Sequence, residues 1–442
     1  MHDMVIKGRL LEGGSWVEAA VCVSNGRITR ISREDPGRNS AGEYLNFGRK
    51  LILPGVIDTH VHMRDPGLTA KEDFGTGTIS AAFGGVTTVL DMPNTIPPVI
   101  DRRSFLMKTA EANRKSHVDF GLYLGIVDGT DEAVLRAAAA GDWSGMRPAA
   151  FKCFLGESTG KLTISRIEDI GLWRGIVSES GKPLAVHPED GDILIRRKGL
   201  SDGGSILERH YSRRPPEAEM SAVKRAVKAM GPLTSSLHLL HVSSEIGLRA
   251  ASGTGASVEV TPHHLLLDIE RCENLERSEY AKVNPPIRKR SDRAALWKGI
   301  GDGIVNTIGS DHAPHELESK THGIESPSGM PGVETMLPLL IAKTLERKLS
   351  FPRLQDLLCG NPASIFDLKA KGSISPGKDA DMIVIDPDEG RVIRSEELHS
   401  KCGWTPYEGM RGVFPTHVFS RGELITENGV LCAKGGRGRL LC

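Results

Sequence analysis

Eight short apolar runs restrict what this chain can fold into more than any other feature of it. They are "LPGVIDTHVH", "GVTTVLDMPN", "DFGLYLG", "MRPAAFKCFLG", "PLAVHPE", "SLHLLHVSS", "SVEVTPHHL" and "IVNTIGSDHAPH". Most end in a polar cluster, and Ala- or Leu-rich segments with helical spacing lie between them. Strand-like runs alternating with helices imply parallel strands, and eight of them predict an α/β chain closed into a (β/α)8 barrel. The polar clusters then gather at the C-terminal ends of the strands, where barrels of this kind keep their chemistry.

The two ends of the chain read differently. Residues 1–52 hold short strand patterns and turns, with "NG" at Asn25–Gly26 as a hairpin signal. Residues 371–442 look similar, so both termini are expected to pair into a small β-sandwich beside a barrel of residues 53–370. Composition narrows the class further. The 442 residues carry 56 basic and 56 acidic side chains, and this balance argues against nucleic acid or an anionic membrane as partner. Aromatic content of 5% leaves little for base stacking. Seven scattered cysteines without a CxxC pair read as free thiols in a reducing compartment, and no apolar stretch is long enough to span a bilayer. A cytoplasmic protein is expected.

Within the first run, His60 and His62 stand at i and i+2 and share one face of a strand. Alone, such a pair could equally be two core histidines. The other runs shift the balance: His187, His241 and Asp311 end the fifth, sixth and eighth. Imidazoles and a carboxylate converging on one barrel mouth form an N/O donor set suited to zinc and similar divalent ions. Lys152, at the end of the fourth run, would as a cation oppose such ions. As a neutral amine it can add carbon dioxide and become an anionic carbamate. Arg64 lies two past His62, in the same inward phase, and a guanidinium there can grip a carboxylate in two places. Asn94 and His315 can add donors. Asp58 is read as an orienter of a histidine. His263 and His264, following the seventh run, are expected on opposite faces of a strand, and His312 in a structural bond. Gly156 and Gly160 would give the segment after Lys152 freedom to move.

Several motifs carry a family resemblance. "DTHVHMRDPG" and "GSDHAPHELESK" resemble the two signatures of the dihydroorotases, in the amidohydrolase superfamily. "GGVTTVLDMPNTIPP", "VTPHHL", "KVNPPIR" and "GMPGVET" lie between or beyond them in the same style. The resemblance implies two zinc ions per chain. His60, His62, Lys152 and Asp311 would hold the more buried ion, and Lys152, as N6-carboxylysine, would share the second with His187 and His241. It implies reversible closure of N-carbamoyl-L-aspartate to L-dihydroorotate with loss of water, the ring-forming step of pyrimidine synthesis. In the opening direction a metal-bridging hydroxide attacks the ring carbonyl, with Asp311 as proton shuttle. Arg64, Asn94 and His315 would bind the substrate carboxylate, while Asn284, Ser328 and Gly329 would touch the ring. A homo-oligomer and association with a transcarbamoylase are both compatible with the family.

Two alternatives share parts of this pattern. Allantoinases and hydantoinase-type dihydropyrimidinases use the same metal residues, but their substrates lack the carboxylate that Arg64 would bind. A non-catalytic scaffold of the same fold would have lost metal-site residues, and this chain keeps the whole set.

Overall fold

The computed structural model describes residues 1–156, 162–199, 203–273 and 277–441. Its strands fall into two sheets of eight. The first four strands, β1 (His2–Glu12), β2 (Ser15–Ser24), β3 (Arg27–Ser32) and β4 (Ala41–Pro54), come from the N-terminal segment. The next eight are all parallel: β5 (Val56–Val61), β6 (Val86–Asp91), β7 (Asp119–Gly125), β8 (Ala150–Phe154), β9 (Leu184–His187), β10 (Leu237–Leu239), β11 (Ser257–Val260) and β12 (Thr307–Ile308). Each falls inside one of the eight apolar runs, in the expected order. They are hydrogen-bonded in sequence from β5 to β12. The circle closes where the His62 N–H donates to the His312 carbonyl at 2.8 Å, beside a parallel bridge between Val61 and His312. This is the (β/α)8 barrel.

Alternation along the strands divides its layers. In β8, Phe151 and Cys153 pack outward against the helices, while Ala150 and Lys152 point inward. In β9, Leu184 and Val186 face outward, while Ala185 and His187 face inward. The inner floor is apolar: Ile57, Leu90, Tyr123, Ala150, Ala185 and Leu240 pack on Phe366 and Leu368, which close the bottom. Period-2 side-chain placement thus puts polar inward residues above a dry floor, one layer higher on each strand.

The last four strands, β13 (Met382–Val392), β14 (Arg411–Ser420), β15 (Glu423–Glu427) and β16 (Val430–Leu431), join β1–β4 in a separate sheet of order β16-β15-β14-β13-β4-β1-β2-β3. The two ends of the chain meet at β4 and β13, antiparallel from Met382 opposite Pro54 to Ile385 opposite Leu51. Met4, Ile6, Val21, Ile52, Met382 and Phe419 share its core. Below the barrel, Lys371, 3% exposed, donates to Asp119 at 2.6 Å and to Asp381 at 2.7 Å, and lies 3.0 Å from Asp379. Arg421 also pairs with Asp119, and the Arg439 N–H donates to it at 3.0 Å. Asp119 opens β7, so this buried cluster ties barrel to terminal sheet.

The connection between β13 and β14 crosses over the barrel. There the Ser400 hydroxyl donates to Glu72 at 2.6 Å, and the Trp404 indole N–H donates to the His315 carbonyl at 2.8 Å. Among the described residues no helix is long and apolar enough to cross a membrane, and Cys22, Cys153, Cys272, Cys359, Cys402 and Cys432 are free.

Candidate metal centre and substrate cavity

One cavity at the C-terminal mouth of the barrel is lined by His60, His62, Lys152, His187, His241 and Asp311, together with Arg64, Asn94, Asn284, Ser328 and Gly329. Every residue that the sequence reading gave to a metal or the substrate, except His315, is on that wall, and His315 stands directly behind Arg64, its Nε2 3.2 Å from Nη2. Phe154 and Ala313 complete the lining.

The tightest group is His60, His62 and Asp311, whose ligand atoms lie within 4.8 Å of one another. Asp311 Oδ1 is 3.3 Å from His60 Nε2 and 3.1 Å from His62 Nε2. His241 lies beside them, its ring centroid 5.3 Å from that of His60 and 4.5 Å from that of His187. Burial pushes the His62 ring down to about 4, so it is neutral at physiological pH. Burial also opposes a charge on Asp311, but the facing imidazoles outweigh it and hold the carboxyl below its usual range.

Lys152 is fully buried, and its Nζ has no hydrogen-bond partner. Burial pushes the ammonium down to about 7. His241 Nδ1 is likewise buried and unpartnered. Orphaned polar atoms are costly in a dry site unless something fills it. Imidazole nitrogens, a carboxylate and an amine short of partners make a donor set that fits divalent cations.

Two carboxylates that the sequence reading passed over aim the rings. Glu259, fully buried on β11, accepts from His60 Nδ1 at 2.8 Å and from the Thr59 hydroxyl at 2.6 Å. Glu189 accepts from His187 Nε2 at 2.7 Å and pairs with Arg214. Such partners fix tautomer and ring direction. Asn94 Oδ1 accepts from His62 Nδ1 at 2.7 Å and turns Nε2 toward Asp311. A signal for Glu259 existed: it is the lone acid in "SVEV", in the inward phase between Val258 and Val260.

Three expectations need correction. Arg64 reaches the cavity, but not by strand phase. β5 ends at Val61, and Arg64 adopts a left-handed backbone with φ of 61°. His241 and Asp311 share that region, at 37° and 46°. Non-glycine residues there are strained, and such strain gathers at functional sites. Second, among the described residues Asp58 bonds to no imidazole: its Oδ1 accepts from the backbone N–H groups of His60 and Ser310. Third, His263 and His264 belong to a short helix, Pro262–Leu266, because Thr261 caps it through the His264 N–H. Both rings are buried and pack at 4.4 Å, so strand alternation does not separate them. His312 is structural as expected, its Nδ1 accepting from the Gly332 N–H at 3.2 Å. Gly156 is described, whereas Gly160 lies outside the described residues.

Arg64 is 1% exposed, and its Nε donates to the Pro314 carbonyl at 3.3 Å. Burial pushes the guanidinium down to about 10, so it stays charged. His315 Nε2 either accepts from Arg64 or donates to the Ser328 carbonyl at 3.1 Å, according to its tautomer. Gly329 has φ of 138°, and a Cβ there would stand 2.5 Å from the Ala313 carbonyl. Only glycine allows the loop this close to the strand end.

The barrel carries at its mouth a group able to hold a metal ion, and the amidohydrolase family model matches residues 51–425. The chain belongs to the amidohydrolase family. Within that family its curated relatives include the dihydroorotase of Halobacterium salinarum, 38% identical over 390 residues, covering 87% of this chain and 89% of that one. The dihydroorotase of Methanosarcina acetivorans is 37% identical over 456 residues, covering 100% and 96%. Among solved structures, the L-hydantoinase (dihydropyrimidinase) of Arthrobacter aurescens superimposes with a TM-score of 0.93 at 28% identity, over 100% of both chains.

Proposed function

We propose that this chain is a cytoplasmic dihydroorotase that interconverts N-carbamoyl-L-aspartate and L-dihydroorotate in pyrimidine synthesis. The observation that carries the reading is Arg64: a buried, charged guanidinium on the wall of the cavity that holds His60, His62 and Asp311. A buried cation there calls for an anion, and dihydroorotate brings a carboxylate. The curated dihydroorotases at 37–38% identity support the same substrate class. The hydantoinase-like structures match the shared barrel, but a hydantoin or dihydrouracil ring offers Arg64 no carboxylate.

In this reading the chain divides into a barrel of residues 53–370, which carries the site, and a terminal β domain of residues 1–52 and 371–442. Two zinc ions are assigned per chain. His60, His62, Lys152 and Asp311 would hold one; His187, His241 and Lys152 would hold the other. Lys152 serves as its carbamate: the neutral amine adds carbon dioxide, a C–N bond forms and one proton leaves. When bound, the ions supply Lewis-acid polarisation of the reacting carbonyl and lower the pKa of water from 15.7 to about 7.

The remaining work falls to the chain. Arg64, Asn94 and His315 grip the carboxylate and set the ring's orientation. Asn284, Ser328 and Gly329 bound the ring edge. In ring opening, the bond between carbonyl carbon and ring nitrogen breaks, and Asp311 takes a proton from the attacking water and delivers it to that nitrogen. Closure runs the same path backwards. Glu259 and Glu189 keep the His60 and His187 rings aimed throughout.

The test compares two rings. Arg64→Met should cost dihydroorotate roughly 2–5 kcal/mol of transition-state binding, the range for a charge left without its buried partner. Dihydrouracil should lose far less. Equal proportional losses in kcat/KM would remove Arg64 as the carboxylate clamp and favour a neutral substrate.

A further inference from the structure

Lys320 closes the second signature, "GSDHAPHELESK", yet the reaction as derived does not use it. Its side chain is fully buried. The ammonium donates to three backbone carbonyls: Lys282 at 3.1 Å, Pro327 at 2.9 Å and Gly329 at 3.0 Å. An ammonium has three donors, and each of the three carbonyls takes one. Burial pushes the group down to about 7, so the protonated clamp is fullest below that value, and among the described residues no carboxylate pairs with it. The Trp404 ring stands 5.6 Å from Nζ.

These carbonyls belong to two loops on the cavity wall. One runs through Lys282 to Asn284; the other carries Ser328 and Gly329. The Gly329 N–H donates to the same Lys282 carbonyl at 3.0 Å, so Lys320 clamps an existing backbone contact from behind. Lys282 repeats the device further out, its Nζ donating to the carbonyls of Ile324, at 2.7 Å, and Ser326. The inner end of the clamp reaches the catalytic strand end: the Ala313 N–H donates to the Met330 carbonyl at 2.8 Å, two residues from Asp311.

We propose that Lys320 is a positioning residue whose ammonium, caged by the Lys282, Pro327 and Gly329 carbonyls, fixes the two loops that form the ring-binding rim of the cavity. The inference rests on the cavity being the ring site proposed above. The rim touches substrate away from the reacting bond, so its loss weakens ground state and transition state alike. Uniform binding of this kind shows in KM and leaves kcat in place.

The experiment uses the metal-loaded full chain with Lys320→Met, which keeps most of the apolar stem but no donor, and Lys320→Gln, which keeps two donors without charge. KM for dihydroorotate should rise about 10–100-fold in Lys320→Met, the scale of one or two charge-assisted hydrogen bonds, and less in Lys320→Gln. In both, kcat should stay within about threefold and metal content should not change. Hydrogen exchange at the Gly329 amide, read without substrate, should speed up at least about tenfold while the barrel strands keep their protection. In Lys320→Ala, methylammonium should lower KM again by refilling the carbonyl cage, and tetramethylammonium, which has no N–H, should not.

If Lys320→Met does not accumulate as folded protein, Lys320→Gln carries the same comparison. Unchanged KM and unchanged Gly329 exchange in a folded variant would overturn the proposal. So would a fall in kcat with KM constant, which would place Lys320 in the chemistry itself. Failure of the wild type to turn over dihydroorotate would sink the functional reading on a separate measurement, because Gly329 exchange needs no substrate.

Discussion

Lys152 concentrates the residue-scale argument. A fully buried amine without a hydrogen-bond partner, beside imidazoles and a carboxylate, is unstable chemistry unless it changes form. Lys152→Ala should leave a metal-poor and nearly inactive chain, and a short carboxylic acid in the buffer should restore part of both. Wild-type rates and metal content in that variant would make the lysine structural. The carbamate proposed for Lys152 also has a pH signature. Only the neutral amine adds carbon dioxide, and burial brings the ammonium down to about 7. At fixed dissolved carbon dioxide, the metal-free chain should therefore gain the carbamate mass more fully one unit above that value than one unit below. Equal gain on both sides would contradict it. At this scale the sequence was informative where spacing and chemistry agreed: His60 and His62 by period, Lys152, His187, His241 and Asp311 by their place at run ends. Arg64 was found for an incomplete reason, since its left-handed turn is invisible to strand periodicity. Glu189 was missed because its job is to aim another side chain, and "VHPED" looks like an ordinary turn.

At the scale of elements, β11 supplies a support rather than a ligand. Glu259 sits between Val258 and Val260, facing inward under the His60 ring, and its second oxygen is held by Thr59 from β5. Glu259→Gln keeps the shape but removes the charge that fixes the Nδ1–H tautomer. Metal affinity should fall by about 10–100-fold, as for other outer partners of metal-bound histidines, with the strand pairing intact. Metal titration alongside far-ultraviolet circular dichroism would check it; unchanged affinity would mean that β11 only fills space. Element order and type were legible because eight apolar runs alternate with helical patterns. Element ends were not. In "VTPHHL" the capping threonine and the proline after it turn a strand pattern into a helix within one residue, and tertiary packing buries both histidines that alternation would have parted.

At the scale of the molecule, the buried cluster of Lys371 with Asp119, Asp379 and Asp381 decides whether barrel and terminal sheet behave as one body. Lys371→Met leaves carboxylates with their best partner gone in a nearly dry site, which costs about 3–5 kcal/mol. Denaturant unfolding should show a lower midpoint, or two transitions in place of one. An unchanged midpoint would mean that Arg421 and the Arg439 N–H satisfy Asp119 without Lys371. That the two termini would pair could be read from their matching β character. That they would share one eight-stranded hydrogen-bonded order, with β4 and β13 at the seam, could not, since pairing across the whole chain leaves no local signal. The seam has a consequence for synthesis. A ribosome delivers β4 hundreds of residues before β13, which at about 5–20 residues per second leaves an interval of tens of seconds. Throughout it Leu51, Ile52 and Leu53, all buried in the finished protein, lie along an open strand edge. The nascent chain must complete its barrel while that edge waits, so β4 stays open to wrong strand partners until β13 has been made.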